Sequence, residues 1–177
     1  FFNPKDMQKS FSQVLILPVL KEKSANAEML SQMLYGETCE VLEMSGAFSR
    51  IKMDFDGVEG WVNTSSIAVE NEEKEHYTVD KPFGIYDLKQ GRSLLSIGSD
   101  VDFPIEQFAD RMNLRDSVAR IASEFLNVPF LNGGRSFFGT DASGFVQLVF
   151  KVHGIRLPRT AQEQSEHGEV LDFVEES

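Results

Sequence analysis

The sequence predicts an α+β chain, with a small β-barrel in front and a pair of packed helices behind it. Three observations carry that prediction. Short apolar strands separated by Gly and Asp turns fill residues 11–69. From Leu114 onward the apolar spacing changes to a helical period. Between them, the run ENEEKEH at 70–76 reads as a solvated linker.

In the first unit, SQVLILPVL is apolar and β-branched. Its core at 14–20 contains Pro18 and falls short of the roughly 18 apolar residues a membrane span needs. Gly36 marks a turn before ETCEVLEM, an alternating strand that places Cys39 inside as inert packing. Phe48, Ile51 and Met53 share the next strand, Asp56-Gly57 signals a hairpin, and Trp61 and Val62 return. Residues 77–112 hold FGIYDL, RSLLSIGSD and VDFPI, short strands between polar turns. They form a second small barrel-like unit or a linker unit, and PIEQFADRM reads alternatively as a helical turn.

The third unit spans 113–177. LRDSVARIASEFLNVPF sets Val118, Ile121, Ala122 and Phe125 on one helical face. Asn113 is the N-cap and Asp116 suits the first turn. Pro129 stops the helix near Asn127. LNGGRSFFGTD is expected as an irregular loop in which Gly133-Gly134 permits close approach. A second helix begins at Asp141 or Ala142, with Asp141 as cap. It buries Val146, Val149, Phe150 and Val152 against the first helix and ends at Gly154. An extended stretch, a short helix over about 160–167 and a stop at Gly168 complete the pattern.

Composition excludes several function classes. A net charge of −11 over 177 residues, with no basic stripe, argues against nucleic acid as partner. One cysteine rules out an internal disulfide framework and cysteine-based zinc sites. No His-Glu-x-x-His pattern or ligand cluster occurs, so neither metal nor cofactor is expected. The opening FFNPKDMQKS lacks the basic-then-apolar pattern of a secretory leader.

Two resemblances follow from these motifs. PVLKEKS, EMLSQMLYGETCEVLE and DGVEGWV resemble bacterial SH3-like domains. In residues 125–170, Gly133-Gly134-Arg135-Ser136, Gly139-Thr140-Asp141-Ala142-Ser143-Gly144 and Gly154-Ile155-Arg156-Leu157-Pro158-Arg159 appear in order. Gln164 and Gly168 also fall in place. This array resembles the NlpC family, papain-like cysteine peptidases that cut bacterial cell-wall peptides. An SH3-like unit ahead of an NlpC segment is similar to γ-D-glutamyl-L-diamino-acid endopeptidases. The resemblance implies peptidoglycan-derived stem peptides with a free N-terminal L-Ala as ligands. A bacterial cytoplasmic or periplasmic location is compatible with it.

The motif has a chemical logic. A helix N-terminus and a neighbouring imidazolium hold a thiol as thiolate, and backbone N–H groups steady the oxyanion. The resemblance makes Asp141 and Ser143 ligands of the α-ammonium, and it puts Phe130, Gly133 and Arg135 at the substrate. Asp141 as a helix cap and Ser143 as a plain helix start are the structural alternatives. Ala142 stands at the position of the nucleophilic Cys. Phe130 stands where the family has Tyr, Asn132 where Trp is usual, and Val58 where an aromatic residue of the SH3-like unit faces the substrate. Several departures together fit natural loss of catalysis better than one engineered exchange. The family's catalytic His lies on a strand after a Gly-Asp-Leu segment, and the sequence given reaches LDFVEES where that segment begins. His76, His153 and His167 do not have its spacing. The expectation is therefore the helical half of the domain, leaving an apolar face at Val146 and Phe150, and no hydrolysis. A muropeptide-binding pseudoenzyme and an SH3-like interaction module are the alternative functions.

Overall fold

The computed structural model describes residues 9–72, 74–109 and 112–168. The first unit has seven strands: β1 (Lys9–Ser12), β2 (Ile16–Leu20), β3 (Met29–Leu34), β4 (Thr38–Ser45), β5 (Phe48–Met53), β6 (Glu59–Asn63) and β7 (Ile67–Val69). They form one sheet in the order β3-β2-β6-β5-β4-β1-β7, antiparallel throughout. Alternation sets the faces. In β5, Ser49, Ile51 and Met53 point inward and Arg50 and Lys52 outward. Leu17, Val19, Met33, Cys39 and Val62 join them in one core. The Asp56-Gly57 turn forms as expected: Gly57 has φ +76 and Asp56 Oδ1 accepts from the Val58 amide at 3.1 Å. Val58 itself packs against the barrel core.

In the linker, residues 71, 72 and 74–76 are exposed, and Lys74 pairs with Glu70 and Asp102. Beyond it come β8 (Tyr77–Thr78), β9 (Phe83–Leu88), β10 (Gly91–Ser96) and β11 (Asp100–Val101). They pair as two separate ladders, β8 with β11 and β9 with β10. Their buried cluster of Val79, Leu95 and Val101 leans on Leu15 and Tyr35 of the first unit. The segment therefore shares its core with the barrel. Residues 104–107 are irregular and Ala109 is 3₁₀-helical, while residues 110 and 111 of PIEQFADRM lie outside the described residues.

Gly36 shows how tightly this segment is pressed onto the barrel. It turns β3 into β4 with φ +79, and a Cβ there would stand 1.8 Å from the Asp100 carbonyl oxygen. Gly36→Ala should therefore cost about 2–3 kcal/mol in urea unfolding. A loss below about 0.5 kcal/mol would show that the Gly36 and Asp100 backbones are free to separate.

The helices are α1 (Leu114–Glu124), α2 (Ala142–Lys151) and α3 (Ala161–Ser165). Asn113 caps α1 by accepting from the Asp116 amide, and the chain leaves that helix through Asn127 at φ 69. Asp141 caps α2. Thr160 and Glu163 form a reciprocal capping box on α3. The stretch expected as an irregular loop holds a short hairpin, β12 (Arg135–Ser136) with β13 (Gly139–Thr140). Leu34, Ile97, Ile121, Phe125, Leu148, Val149 and Val152 share one core, so the helices rest on both preceding units. Val146 and Phe150 stay half-buried outside that cluster. What α2 buries instead is polar: Gln147 and Lys151, one turn apart, point at the barrel. The expectations that fall on LDFVEES lie outside the described residues.

Candidate functional site

The site forms where the Gly-rich loop meets the first turn of α2. Close backbone approach builds it. Gly133, at φ +75, lies so near β3 that a Cβ would stand 2.2 Å from the Met29 carbonyl oxygen. A Cβ at Gly134 would meet the Gly139 carbonyl at 2.7 Å. A side chain at Gly133 would push the loop off β3, and one at Gly134 would clash with the loop's own backbone. The chain then pins itself: the Asp141 amide donates to the Gly134 carbonyl, and the Thr140 amide to that of Pro129.

Asp141 is the hub. Its Oδ1 accepts from the Gly144 amide at 2.8 Å, and its Oδ2 from the Gly133 amide at 3.0 Å. Arg159 brings Nη1 to 2.9 Å from Oδ1 and Nη2 to 2.7 Å from Oδ2, a two-pronged pair. The Ser143 hydroxyl adds a donation to Oδ1 at 3.2 Å and itself accepts from Arg159 Nη1 at 2.8 Å. Burial pushes the Asp141 carboxyl up, but the Arg159 hydrogen bonds, the Gly144 and Gly133 amides and the Arg159 charge outweigh it. The carboxyl therefore ionises below the ordinary aspartate range. The Arg159 Nε donates to Ser31 Oγ on β3, so the barrel itself holds this guanidinium.

Ala142 follows directly, exposed in the first turn of α2. Ser143 is half-buried beside it. Phe130 is 77% exposed and bridges to Thr140 through its backbone. These residues, with Gly133, come together as the sequence predicts. Arg135 does not. Expected at the substrate, it is 0% exposed. Nη1 and Nη2 grip the two carboxylate oxygens of Glu37 at 2.7 and 2.8 Å. Nε donates to Gln147 Oε1 at 2.9 Å, and the ring of Phe55 lies 4.6 Å from the guanidinium carbon. With these partners Arg135 ties the loop to the barrel and has no surface left for a ligand. Val58 likewise turns into the barrel core rather than toward a ligand.

In the sequence, Arg159 and Gln164 stand out only as letters of the motif. The structure gives both a task. Gln164 Nε2 donates to the carbonyls of Ser143 and Pro158, joining α3 to the start of α2. Gln147 donates to Asp56 Oδ2 and the Leu157 carbonyl, both at 2.9 Å. Two of the three histidines are occupied elsewhere. His153 contacts the Val149 carbonyl and Ser117 Oγ, each at 2.8 Å, and His167 contacts the Glu163 carbonyl. Burial, with Asp54 adding to it, pushes the Cys39 thiol up to about 12. Among the described residues no group of three or more His, Cys, Asp or Glu could hold a metal ion. No helix among them is long and apolar enough to cross a membrane.

Comparison with known proteins agrees with this geometry. A family model for the bacterial dipeptidyl-peptidase SH3 domain matches residues 19–67. A second, for the NlpC/P60 family, matches residues 127–176. The γ-D-glutamyl-L-lysine dipeptidyl-peptidase of Bacillus cereus (strain ATCC 10987 / NRS 248) is 39% identical over 57 residues. Its counterpart from Bacillus subtilis (strain 168) is 40% identical over 53 residues. These stretches cover 32% and 30% of this chain, but only 17% and 18% of the relatives' length. Among solved structures, an NlpC/P60 family protein from Bacillus cereus ATCC 10987 superposes with a TM-score of 0.79 at 17% identity. That match covers 93% of this chain and 79% of the other. An NlpC/P60 endopeptidase from Photobacterium damselae subsp. piscicida gives 0.54 at 18% identity, over 89% of this chain and 45% of its own. Both likenesses are of fold.

Proposed function

Because this chain belongs to the NlpC/P60 family of cell-wall peptidases and carries a bacterial SH3 domain, we propose that it binds peptidoglycan stem peptides and leaves them uncut. One observation carries this reading. Ala142 is exposed in the first turn of α2, directly after the cap residue Asp141. Cysteine chemistry in such a place needs an electron pair on sulfur, and a methyl group has none. The surroundings keep a binding shape even so: a loop pinned by glycines, a capped helix start and an exposed aromatic ring at Phe130. The family resemblance makes the ligand an L-Ala-γ-D-Glu-diamino-acid peptide, contacting Asp141, Ala142, Ser143 and Phe130.

Incubation of the purified chain with L-Ala-γ-D-Glu-diaminopimelate should release no L-Ala-D-Glu by mass spectrometry. Turnover above that of a mock-purified control would refute the silent site. Calorimetry should detect the same peptide binding. Phe130→Ala should weaken it about tenfold, a loss of about 1.4 kcal/mol, without changing the melting temperature. Absence of binding would leave the fold assignment intact and remove the function.

A further inference from the structure

We propose that Asn132 is a self-modification site held in check by the folded loop. While the loop is seated on β3 the residue stays asparagine, and once the loop opens it converts to aspartate and isoaspartate. The proposal does not depend on the peptide-binding reading above.

The chemistry needs only water. The Gly133 amide nitrogen attacks Cγ, the side-chain carbonyl carbon of Asn132. An N–Cγ bond forms, the Cγ–Nδ2 bond breaks, and the amide proton leaves with Nδ2 as ammonia. Water then opens the resulting five-membered imide at either carbonyl, giving aspartate or isoaspartate. Glycine on the C-terminal side makes the attack easiest, because no Cβ shields its nitrogen. Asn132 is the chain's only asparagine followed by glycine, and it is exposed.

Three features of the fold oppose the first step. The attacking nitrogen is engaged: the Gly133 N–H donates to Asp141 Oδ2 at 3.0 Å. That carboxylate is a weak base, because Arg159 grips both its oxygens and it ionises below the ordinary aspartate range. Its charge also disfavours an anion on the adjoining nitrogen. The turn, in addition, has the wrong shape for ring closure. The Gly134 amide donates to the Leu131 carbonyl at 2.9 Å, with Gly133 at φ +75 and Asn132 at negative φ. This is a type II turn, in which ψ of Asn132 is about +120°. The imide ring requires the opposite sign at that angle, so the turn must open. Finally, the turn cannot open in place. Gly133 lies against the Met29 carbonyl, and the Arg135 amide donates to Gln32 Oε1 of β3 at 2.7 Å. Opening the turn means lifting the loop off β3.

Conversion to isoaspartate would be permanent. It adds a carbon to the backbone beside Gly133, where even a Cβ would stand 2.2 Å from the Met29 oxygen. The loop could not reseat, and Asp141 would lose the Gly133 amide. Asp141 therefore preserves the chemical identity of Asn132 as well as capping α2.

The test follows Asn132 by tryptic cleavage at Arg120 and Arg135. Peptide 121–135 also contains Asn127, which is followed by β-branched Val128 and serves as an internal control. The native chain is held at neutral pH with and without urea. Conversion is read as the mass gain from amide to acid, with isoaspartate separated by chromatography. In urea Asn132 should convert at least about tenfold faster than Asn127, and at least about tenfold faster than it does in the native chain. A smaller ratio in either comparison overturns the proposal. Asp141→Ser keeps a helix cap but is too short to reach the Gly133 amide. In that folded variant Asn132 should convert at least about threefold faster than in the native chain, and a smaller increase overturns the part given to Asp141. Should the variant not fold, hydrogen exchange of the native Gly133 amide decides. Exchange at least about tenfold slower than in an open chain supports the guard, and faster exchange overturns it.

Discussion

Glu37→Gln should lower the unfolding free energy by about 3–5 kcal/mol, measured by urea at neutral pH. The substitution hardly changes volume, so the loss is one of charge. Glu37 is 2% exposed in the turn between β3 and β4. One carboxylate oxygen accepts from Arg135 Nη2 and from Lys151 Nζ at 2.7 Å. The other accepts from Arg135 Nη1 and from the Leu34 amide at 2.8 Å. Lys151 also pairs with Asp100 at 2.9 Å. Two buried cations are thus balanced by two carboxylates, one from the barrel and one from the segment after it. Removing the Glu37 charge leaves a surplus cation at the face where α2 meets the barrel. Replacing the whole set by apolar groups is a different experiment and is often neutral. A loss under about 1 kcal/mol would show that water reaches the cluster and screens it.

The same carboxylate makes an acid-side prediction. Burial alone pushes Glu37 up. The charges of Arg135 and Lys151, the Arg135 hydrogen bonds and the Leu34 amide pull it down from 4.5 to about 2. Because the folded value is depressed, its contribution is fully present above about pH 4.5 and drains away as pH falls toward 2. The shift corresponds to roughly 3 kcal/mol. Glu37→Gln has no such group to protonate, so its stability should fall less between pH 5 and about 2.5 than that of the native chain. Parallel acid curves for the two would contradict the coupling.

Much of this fold was legible because its signals are local. The Asp56-Gly57 hairpin, the Asn113 and Asp141 caps and the apolar face of α1 each need only a few neighbouring residues to be read. The site was legible as a place: Phe130, Gly133, Asp141, Ala142 and Ser143 do converge. What could not be read were the partners across long stretches of chain. Arg135 looks like a surface or ligand-facing cation until Glu37, 98 residues earlier, is set against it. Arg159 meets Ser31 across 128 residues, and Lys151 meets Asp100 across 51. Periodicity assigns polar residues to the exterior, so a helix that buries Gln147 and Lys151 defeats it. The second segment was ambiguous for a related reason. β9 alternates only between exposed and half-buried positions, because part of its core is lent by Leu15 and Tyr35.

Ala142→Cys should create one thiol that reacts quickly near neutral pH in an otherwise unreactive chain. The native background is clean because Cys39 is buried and pushed up to about 12. At pH 7 its thiolate fraction is about one part in 10⁵. Position 142 is the opposite environment. It is exposed, it opens a ten-residue helix, and free amides at such a terminus favour an anion. The neighbouring Asp141 charge would oppose that field, but Arg159 cancels it at 2.7 and 2.9 Å. The rate of iodoacetamide alkylation against pH should therefore show a midpoint at or below about 7.5 rather than the ordinary thiol value of about 8.5. Adding Arg159→Gln removes the cancelling charge and should move the midpoint upward by about one unit. A midpoint at 8.5 or above in the single variant would mean that the helix does not stabilise an anion there. Ala142 would then be an ordinary helix start, and the reading of this site as a silent relative of a thiol peptidase would lose its physical basis.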